Sequence, residues 1–160
     1  MKNITVKTNA IRILTQKRAE FQVLSYDPLD NVPSGAEVAA ILGKNPARVF
    51  KTLVTTGKSG EHYVFMIPVT AELDLKKAAE AAGEKNIAML KAKNLLGLTG
   101  YIHGGCSPVG MKKQFVSFLD KSAENHDAIL LSGGKIGVHI EIAPDELRKA
   151  VPFSVADLTC

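Results

Sequence analysis

Lys51 stands in the middle of "VFKTLVTT" (49–56), a run otherwise made of apolar and β-branched residues. A strand period of two puts it on one face with Val49, Leu53 and Thr55, and puts Phe50, Thr52 and Val54 on the other. Two chemistries suit a lysine there. It could be an edge-strand charge that discourages further sheet pairing. It could also be a partly buried ammonium that binds an oxyanion or phosphate, or a base with a depressed pKa. "GGCSPVG" (104–110) holds three glycines and a proline, which forbid regular structure but leave backbone amides and the Ser107 hydroxyl open to use. "SGGKIG" (132–137) is a second glycine cluster. Each cluster reads either as a tight turn between strands or as one wall of a pocket. Neither is a dinucleotide fingerprint or a P-loop, since G-x-G-x-x-G and G-K-[ST] are both missing.

Other reactive residues carry weaker signals. Tyr26 closes "VLSYD" and suits either a pocket rim or a half-buried phenol. Asp27 before Pro28 is turn chemistry. His103 and Cys106 have an H-x-x-C spacing, but a metal site needs more ligands, and neither C-x-x-C nor H-E-x-x-H occurs. Cys106 as a nucleophile would need a fixed base, and His103 beside a glycine turn is poorly fixed. His139 lies within a strand and reads as structural. No metal or other cofactor is expected.

These residues need elements to position them. Helices are expected at 8–18 (capped by Thr8 or Asn9), 34–43, about 74–82, 92–97, and from Pro144 onward. The second has the pattern of a capping box, Ser34 with Glu37, a buried stripe of Val38, Ile41 and Leu42, and a closing Gly43. Strands are expected at 21–27, 49–56, 62–69, 87–89, 114–119, 128–131 and 136–142, and the tail "FSVADL" suits a last one. Strands and helices mix without strict βαβ alternation. The expected class is therefore mixed α/β (α+β), a curled, mostly antiparallel sheet with flanking helices.

The chain has 160 residues, 46% of them hydrophobic, which suits a single domain over 1–160. Its net charge of +4 is compatible with an RNA or phosphate partner, and equally with solvated lysines. The first twenty residues lack the apolar run of a secretory leader, and no stretch of about 18 apolar residues could span a membrane. Two cysteines make no disulfide framework. A cytoplasmic protein with no membrane partner is expected.

Three motifs together resemble a known family. "FKTL" at 50–53, "GGCSPVG" at 104–110 and "SGGKIGVHIEIAP" at 132–144 occur in the order and at the distances found in the YbaK/EbsC family. Its members are Cys-tRNA(Pro) deacylases, relatives of the editing insertion domain of bacterial prolyl-tRNA synthetase. The similarity runs from Tyr26-Asp27 to "IEIAPDEL". The family loop reads G-G-x-S-P-x-G, so Cys106 falls at its variable place.

The resemblance implies a YbaK-like curved sheet holding a small pocket, and hydrolysis of the ester between a mischarged amino acid and the 3′-terminal ribose of tRNA. It places Lys51, Gly104 and Gly105 in catalysis. Tyr26, Phe50, Thr52, Ser107, Pro108, Ser132, Gly133 and Gly134 are implied to bind substrate. The glycines would let the ester carbonyl reach backbone N–H groups. The attacking group is either the substrate's own cysteine thiol or a water helped by a ribose hydroxyl. The implied partners are mischarged tRNA(Pro) and prolyl-tRNA synthetase, with the chain as a monomer. Two alternatives stand beside this one: a deacylase for another mischarged tRNA such as Ala-tRNA(Pro), and a non-catalytic module that binds an RNA 3′ end.

Overall fold

The computed structural model describes residues 7–27 and 33–160. Pro28, assigned to a turn after Asp27, lies outside them. The elements in chain order are α1 (Asn9–Gln16), β1 (Phe21–Ser25), α2 (Gly35–Leu42), β2 (Phe50–Gly57), β3 (His62–Pro68), α3 (Leu75–Ala82), β4 (Ile87–Met89), α4 (Ala92–Thr99), β5 (Val116–Asp120), β6 (Ile129–Lys135), β7 (Val138–Ile142), α5 (Pro144–Leu147) and β8 (Ser154–Ala156). The mixed α/β class holds. The strands form two sheets rather than one curled sheet. The smaller is antiparallel, in the order β1-β7-β6, and the larger runs β4-β2-β3-β5-β8. In the larger sheet β2 pairs antiparallel with β3 and β4, whereas β5 lies parallel to both β3 and β8. Among the described residues a parallel bridge from Val49, just before β2, to Leu130 of β6 ties the sheets together.

Local chemistry explains the ends of the helices. Ser34 and Glu37 form the expected capping box on α2, and Gly43 closes that helix in the left-handed conformation at φ 68°. The buried stripe of α2 differs from the expected one. Val38 and Ala39 are buried, while Ile41 is 54% exposed. Ala39 packs with Val49 and Leu130, which turns the helix so that Ile41 leaves the stripe. The Thr8 hydroxyl caps α1 by accepting from the Ile11 amide at 3.1 Å, and it donates to the Gly133 carbonyl on β6.

Alternation along β6 and β7 divides the smaller sheet into two unlike faces. Ile129, Leu131, Val138, Ile140 and Ile142 turn to one side and join Leu14, Leu119, Leu147 and Val151 in the main core. Burying each such side chain stabilises the fold by roughly 1.5–3 kcal/mol. Leu130, His139 and Glu141 take the opposite parity. Leu130 packs under α2, and Glu141 pairs with Lys44 at 3.3 Å and with Arg48. The second face therefore carries α2 and, beside it, the pocket described next.

"SGGK" falls between the strands expected at 128–131 and 136–142, as a turn or as one wall of a pocket. Instead Ser132–Lys135 lies inside β6 and forms an irregularity in its register with β7. A bulge accommodates an extra residue and increases local twist, which two glycines permit. The turn itself falls at Ile136–Gly137.

Candidate active site

A pocket of about 430 Å³ opens next to the Val49–Leu130 bridge. Val49 and residues 50–53 of β2 line it. Ser132 of β6 and His139 of β7, which are paired in register, line it as well. Ser34 and Gly35 at the start of α2, and His103, Gly104 and Cys106 of the loop before β5, also line it. Tyr26 completes the rim.

The free edge of β2 is what opens this space. The Val49 carbonyl accepts from the Val69 amide, and the Gly57 amide donates to the Glu61 carbonyl, each at 2.8 Å. Odd-numbered residues of β2 thus direct their backbone groups to β3. Even-numbered residues direct theirs the other way, as Val54 does when its carbonyl accepts from the Leu90 amide at 3.1 Å. On that side β4 covers only residues 55–57. Thr52 therefore presents its backbone at an unpaired stretch of strand that lines the pocket.

Lys51 is paired with Ile67 of β3 and lines the pocket. Its side chain is 32% exposed, and its ammonium lies 3.9 Å from the carboxylate of Glu72, which is itself 85% exposed. Such an exposed pair holds the ammonium only weakly and leaves it able to meet an anionic ligand. The edge-strand and anion-binding readings of Lys51 thus meet in one position, because the local strand edge is the pocket wall.

The sequence-assigned residues divide into two groups. Lys51, Gly104, Tyr26, Phe50, Thr52 and Ser132 line the pocket; Gly105, Ser107, Pro108, Gly133 and Gly134 do not. Gly105 donates its amide to the Ile102 carbonyl at 3.0 Å. A Cβ on Gly105 would come within 3.1–3.3 Å of the Lys135–Ile136 backbone, so this glycine lets the two loops pack together. Ser107 is fully buried, and its hydroxyl accepts from the Val109 amide at 3.1 Å. Gly133 packs against Val138, and Gly134 has φ 102° beside Tyr101 and Thr8. Among the described residues no acceptor takes the amides of Gly104 and Cys106, and both residues line the pocket. Gly104 has φ 90°, where a side chain would be strained.

The loop is braced from behind. The Tyr101 hydroxyl donates to the Val109 carbonyl at 2.6 Å, and the Tyr101 amide donates to the Thr99 hydroxyl at 3.0 Å. Burial pushes the Cys106 thiol up to about 12, so it is protonated at neutral pH and is no thiolate nucleophile. Desolvation also raises the Tyr26 phenol, which stays protonated and able to donate. Among the described residues no three His, Cys, Asp or Glu side chains gather as a metal site requires.

His139 is the pocket residue that the sequence reading set aside as structural. It is 8% exposed, its Nδ1 has no partner among the described residues, and its ring centroid lies 6.2 Å from that of Tyr26. Burial lowers its pKa to about 4, so the imidazole is neutral at pH 7. The signal that could have found it is parity: it alternates with Ile140 and Ile142, which puts it on the face away from the core.

Residues 30–150 match the family model of the aminoacyl-tRNA editing domain. The chain belongs to that family. It is 42% identical over 96% of its length to EbsC of Enterococcus faecalis, a candidate Cys-tRNA(Pro)/Cys-tRNA(Cys) deacylase, and covers 93% of that protein. It is 32% identical over 56% of its length to a proline–tRNA ligase of Pelobacter propionicus, of which the match covers 16%. A crystal structure of a candidate trans-editing enzyme for prolyl-tRNA synthetase superposes with a TM-score of 0.84 at 24% identity, covering 98% of this chain and 99% of the other. That last likeness is one of fold. No helix among the described residues of this editing domain is long and apolar enough to cross a membrane.

Proposed function

We propose that the chain is a trans-acting editing hydrolase that removes cysteine from Cys-tRNA(Pro) by cleaving the ester at the 3′-terminal ribose. The observation that carries this reading is the meeting, in one pocket, of the Lys51 ammonium and the partnerless Gly104 and Cys106 amides. Both are donor sets suited to an ester that develops negative charge. In the proposed arrangement the carbonyl oxygen meets the Gly104 and Cys106 amides, while Lys51 holds that oxygen or the terminal phosphate. A positioned donor of this kind contributes about 3–4 kcal/mol to lowering the barrier. A pocket of about 430 Å³ admits an aminoacyl group with part of the terminal nucleoside.

Among the described residues no hydrogen bond joins a nucleophile to a base in the pocket, and the Cys106 thiol stays protonated, so in this reading the substrate supplies the attacking group. In the thiol route the cysteine thiol loses its proton, its sulfur bonds to the carbonyl carbon, and the carbon–oxygen bond to ribose breaks. The ribose oxygen takes up a proton, leaving a cyclic thiolactone and free tRNA. In the water route a ribose hydroxyl orients water, and the products are free cysteine and tRNA. Prolyl-tRNA synthetase is the partner this reading implies. A net charge of +4 supports weak autonomous RNA binding, and the chain is related to part of a proline–tRNA ligase. The chain acts as a monomer in this scheme.

The test is single-turnover deacylation of Cys-, Ala- and Pro-tRNA(Pro) by the purified protein. Cys-tRNA(Pro) should be hydrolysed fastest and Pro-tRNA(Pro) should remain at background. A preference for Ala-tRNA(Pro) would move the substrate assignment, and no deacylation of any of them would leave a binding module.

A further inference from the structure

Charge is unevenly spread along this chain. Residues 85–119 hold five lysines and no aspartate, glutamate or arginine, a formal charge of +5. The whole chain carries +4, so the other 125 residues together carry −1. All five lysines are exposed, and among the described residues none has an ion-pair partner. Elsewhere Lys44 and Arg48 share Glu141, and Lys77 and Lys121 share Asp157. The acid-free segment contains α4 and the loop of His103, Gly104 and Cys106. Both line the pocket, α4 through Leu95.

Three of these lysines sit on or against α4. Lys91 is its N-cap residue, and Lys93 lies in its first turn. Lys93, Gly97 and the capping Gly100 follow one another at i, i+4 and i+7, which is one stripe of a helix. Lys112 lies over the far end of that stripe. Its ammonium donates to the Gly97 carbonyl at 3.3 Å, and its Cγ would be 3.4 Å from a Cβ on Gly100. Leu96, beside the stripe, is exposed, as is Ile102, which adjoins His103. Packing and backbone conformation do not require glycine at 97. Its φ is outside the left-handed region, and a Cβ there would meet nothing within 4 Å. Glycine inside a helix costs stability, so its missing side chain suits a ligand lying against α4.

Charge complementarity calls for an anionic occupant, and a position beside the pocket calls for one that begins there. An RNA strand meets both conditions. A terminal ribose held in the pocket carries the preceding nucleotide on its 5′ phosphate, and each further nucleotide adds another phosphate. A basic track that follows the backbone is the usual device of single-strand binding, and it positions the strand without reading its sequence. We propose that α4, with Lys91, Lys93 and Lys112, carries the unpaired RNA strand that leads to the terminal nucleoside. Phosphates lie on the lysines, and bases lie on Leu96 and Ile102. This rests on the reading of the pocket as an aminoacyl-ester site. It adds that the strand binds without the rest of the tRNA.

The experiment measures binding and needs no turnover. The probes are 3′-cysteinylamino-3′-deoxyadenosine, an amide-linked end that is not hydrolysed as an ester, and a single-stranded RNA hexamer that ends in it. Calorimetry follows both from about 50 to 200 mM salt, with each variant checked for folding by its melting curve. The hexamer should bind at least about tenfold more tightly than the nucleoside at the lowest salt. Its log affinity should fall against log salt with a slope of about −2, from three contacts at about −0.7 each, while the nucleoside's slope stays near zero. Lys91→Gln and Lys93→Gln should each reduce the hexamer's slope by about 0.7 and leave the nucleoside unchanged. Lys17→Gln, at the far end of α1, should alter neither. Gly97→Gln should raise the melting temperature, since glutamine is the better helix former, and yet weaken the hexamer by about threefold or more. A hexamer no tighter than the nucleoside would overturn the proposal and leave the pocket reading standing. Lys17→Gln acting as strongly as Lys93→Gln would overturn it too, because the charge would then act from anywhere. So would lysine variants that spare the hexamer and instead weaken binding of purified prolyl-tRNA synthetase, which would give this face to a protein. Binding of neither probe would remove the pocket reading and the proposal with it.

Discussion

The two faces of the β6–β7 pair are built from alternate residues of the same ten-odd positions, yet they behave oppositely. On the core face Ile129, Leu131, Ile140 and Ile142 are at most 1% exposed and have no polar group to satisfy. On the other face Glu141 is tied to Lys44 and Arg48, and His139 keeps a buried nitrogen without a partner among the described residues. One face is optimised for stability. The other holds unmet hydrogen-bonding capacity, which is unfavourable to the fold. The lesson is that a strand's parity divides core residues from pocket-lining ones more sharply than residue type does.

The comparison breaks first at Ile140. Ile140→Ala should destabilise the fold by about 2–5 kcal/mol in denaturant unfolding, with the deacylation rate per folded molecule nearly unchanged. If activity fell while stability held, the core face would not be purely structural. Acid comes next. His139 has a folded pKa of about 4 against an ordinary value of 6.5, so the unfolded chain binds the extra proton between those limits. Its contribution to stability is full above about pH 6.5 and is lost as the pH falls to about 4, a change on the order of 3 kcal/mol. The melting temperature should drop over that range, and His139→Gln should flatten the drop. An unchanged acid limb in His139→Gln would show that the imidazole is not desolvated on this face.

The glycine loops give smaller effects. Gly105→Val places its Cβ against the Lys135–Ile136 backbone, which cannot move aside as a side chain would. A loss of about 1–3 kcal/mol in stability is expected, and thermal unfolding measures it. Wild-type stability with greatly reduced turnover would instead put Gly105 against the substrate. Cys106→Ala should be the mildest change, at about 1 kcal/mol or less in stability, with most of the deacylation rate retained. Iodoacetamide should likewise leave the wild-type rate intact at neutral pH, because the thiol is protonated. Rapid inactivation would restore Cys106 as a nucleophile.

Much of this was legible in the sequence, and what was missed has physical causes. Ser34-x-x-Glu37 and the terminal Gly43 act locally, and the helix they predict is there. The motif order that carried the family resemblance agrees with the match over residues 30–150. Lys51 could be singled out because an ammonium in an apolar strand is conspicuous, and it does line the pocket. The stripe on α2 was assigned to Ile41 because periodicity cannot show that Ala39 takes the contact with Leu130. The "SGG" segment was read as a turn because glycine signals turns and bulges alike, and only the long-range pairing with β7 separates them. The parallel placement of β5 between β3 and β8 joins segments far apart in the chain, which no local pattern records. His139 was passed over because a strand histidine is conspicuous only once the parity of its neighbours is followed.

The central claim is that the open edge of β2 places Lys51 in a working active site. The measurement is the single-turnover deacylation rate of Cys-tRNA(Pro) by Lys51→Ala, taken together with its melting temperature. The account predicts a rate lower by on the order of 100-fold, with a melting temperature equal to or above that of the wild type, because a partly desolvated charge has been removed from an apolar strand. A folded Lys51→Ala protein that deacylates at close to the wild-type rate would contradict it.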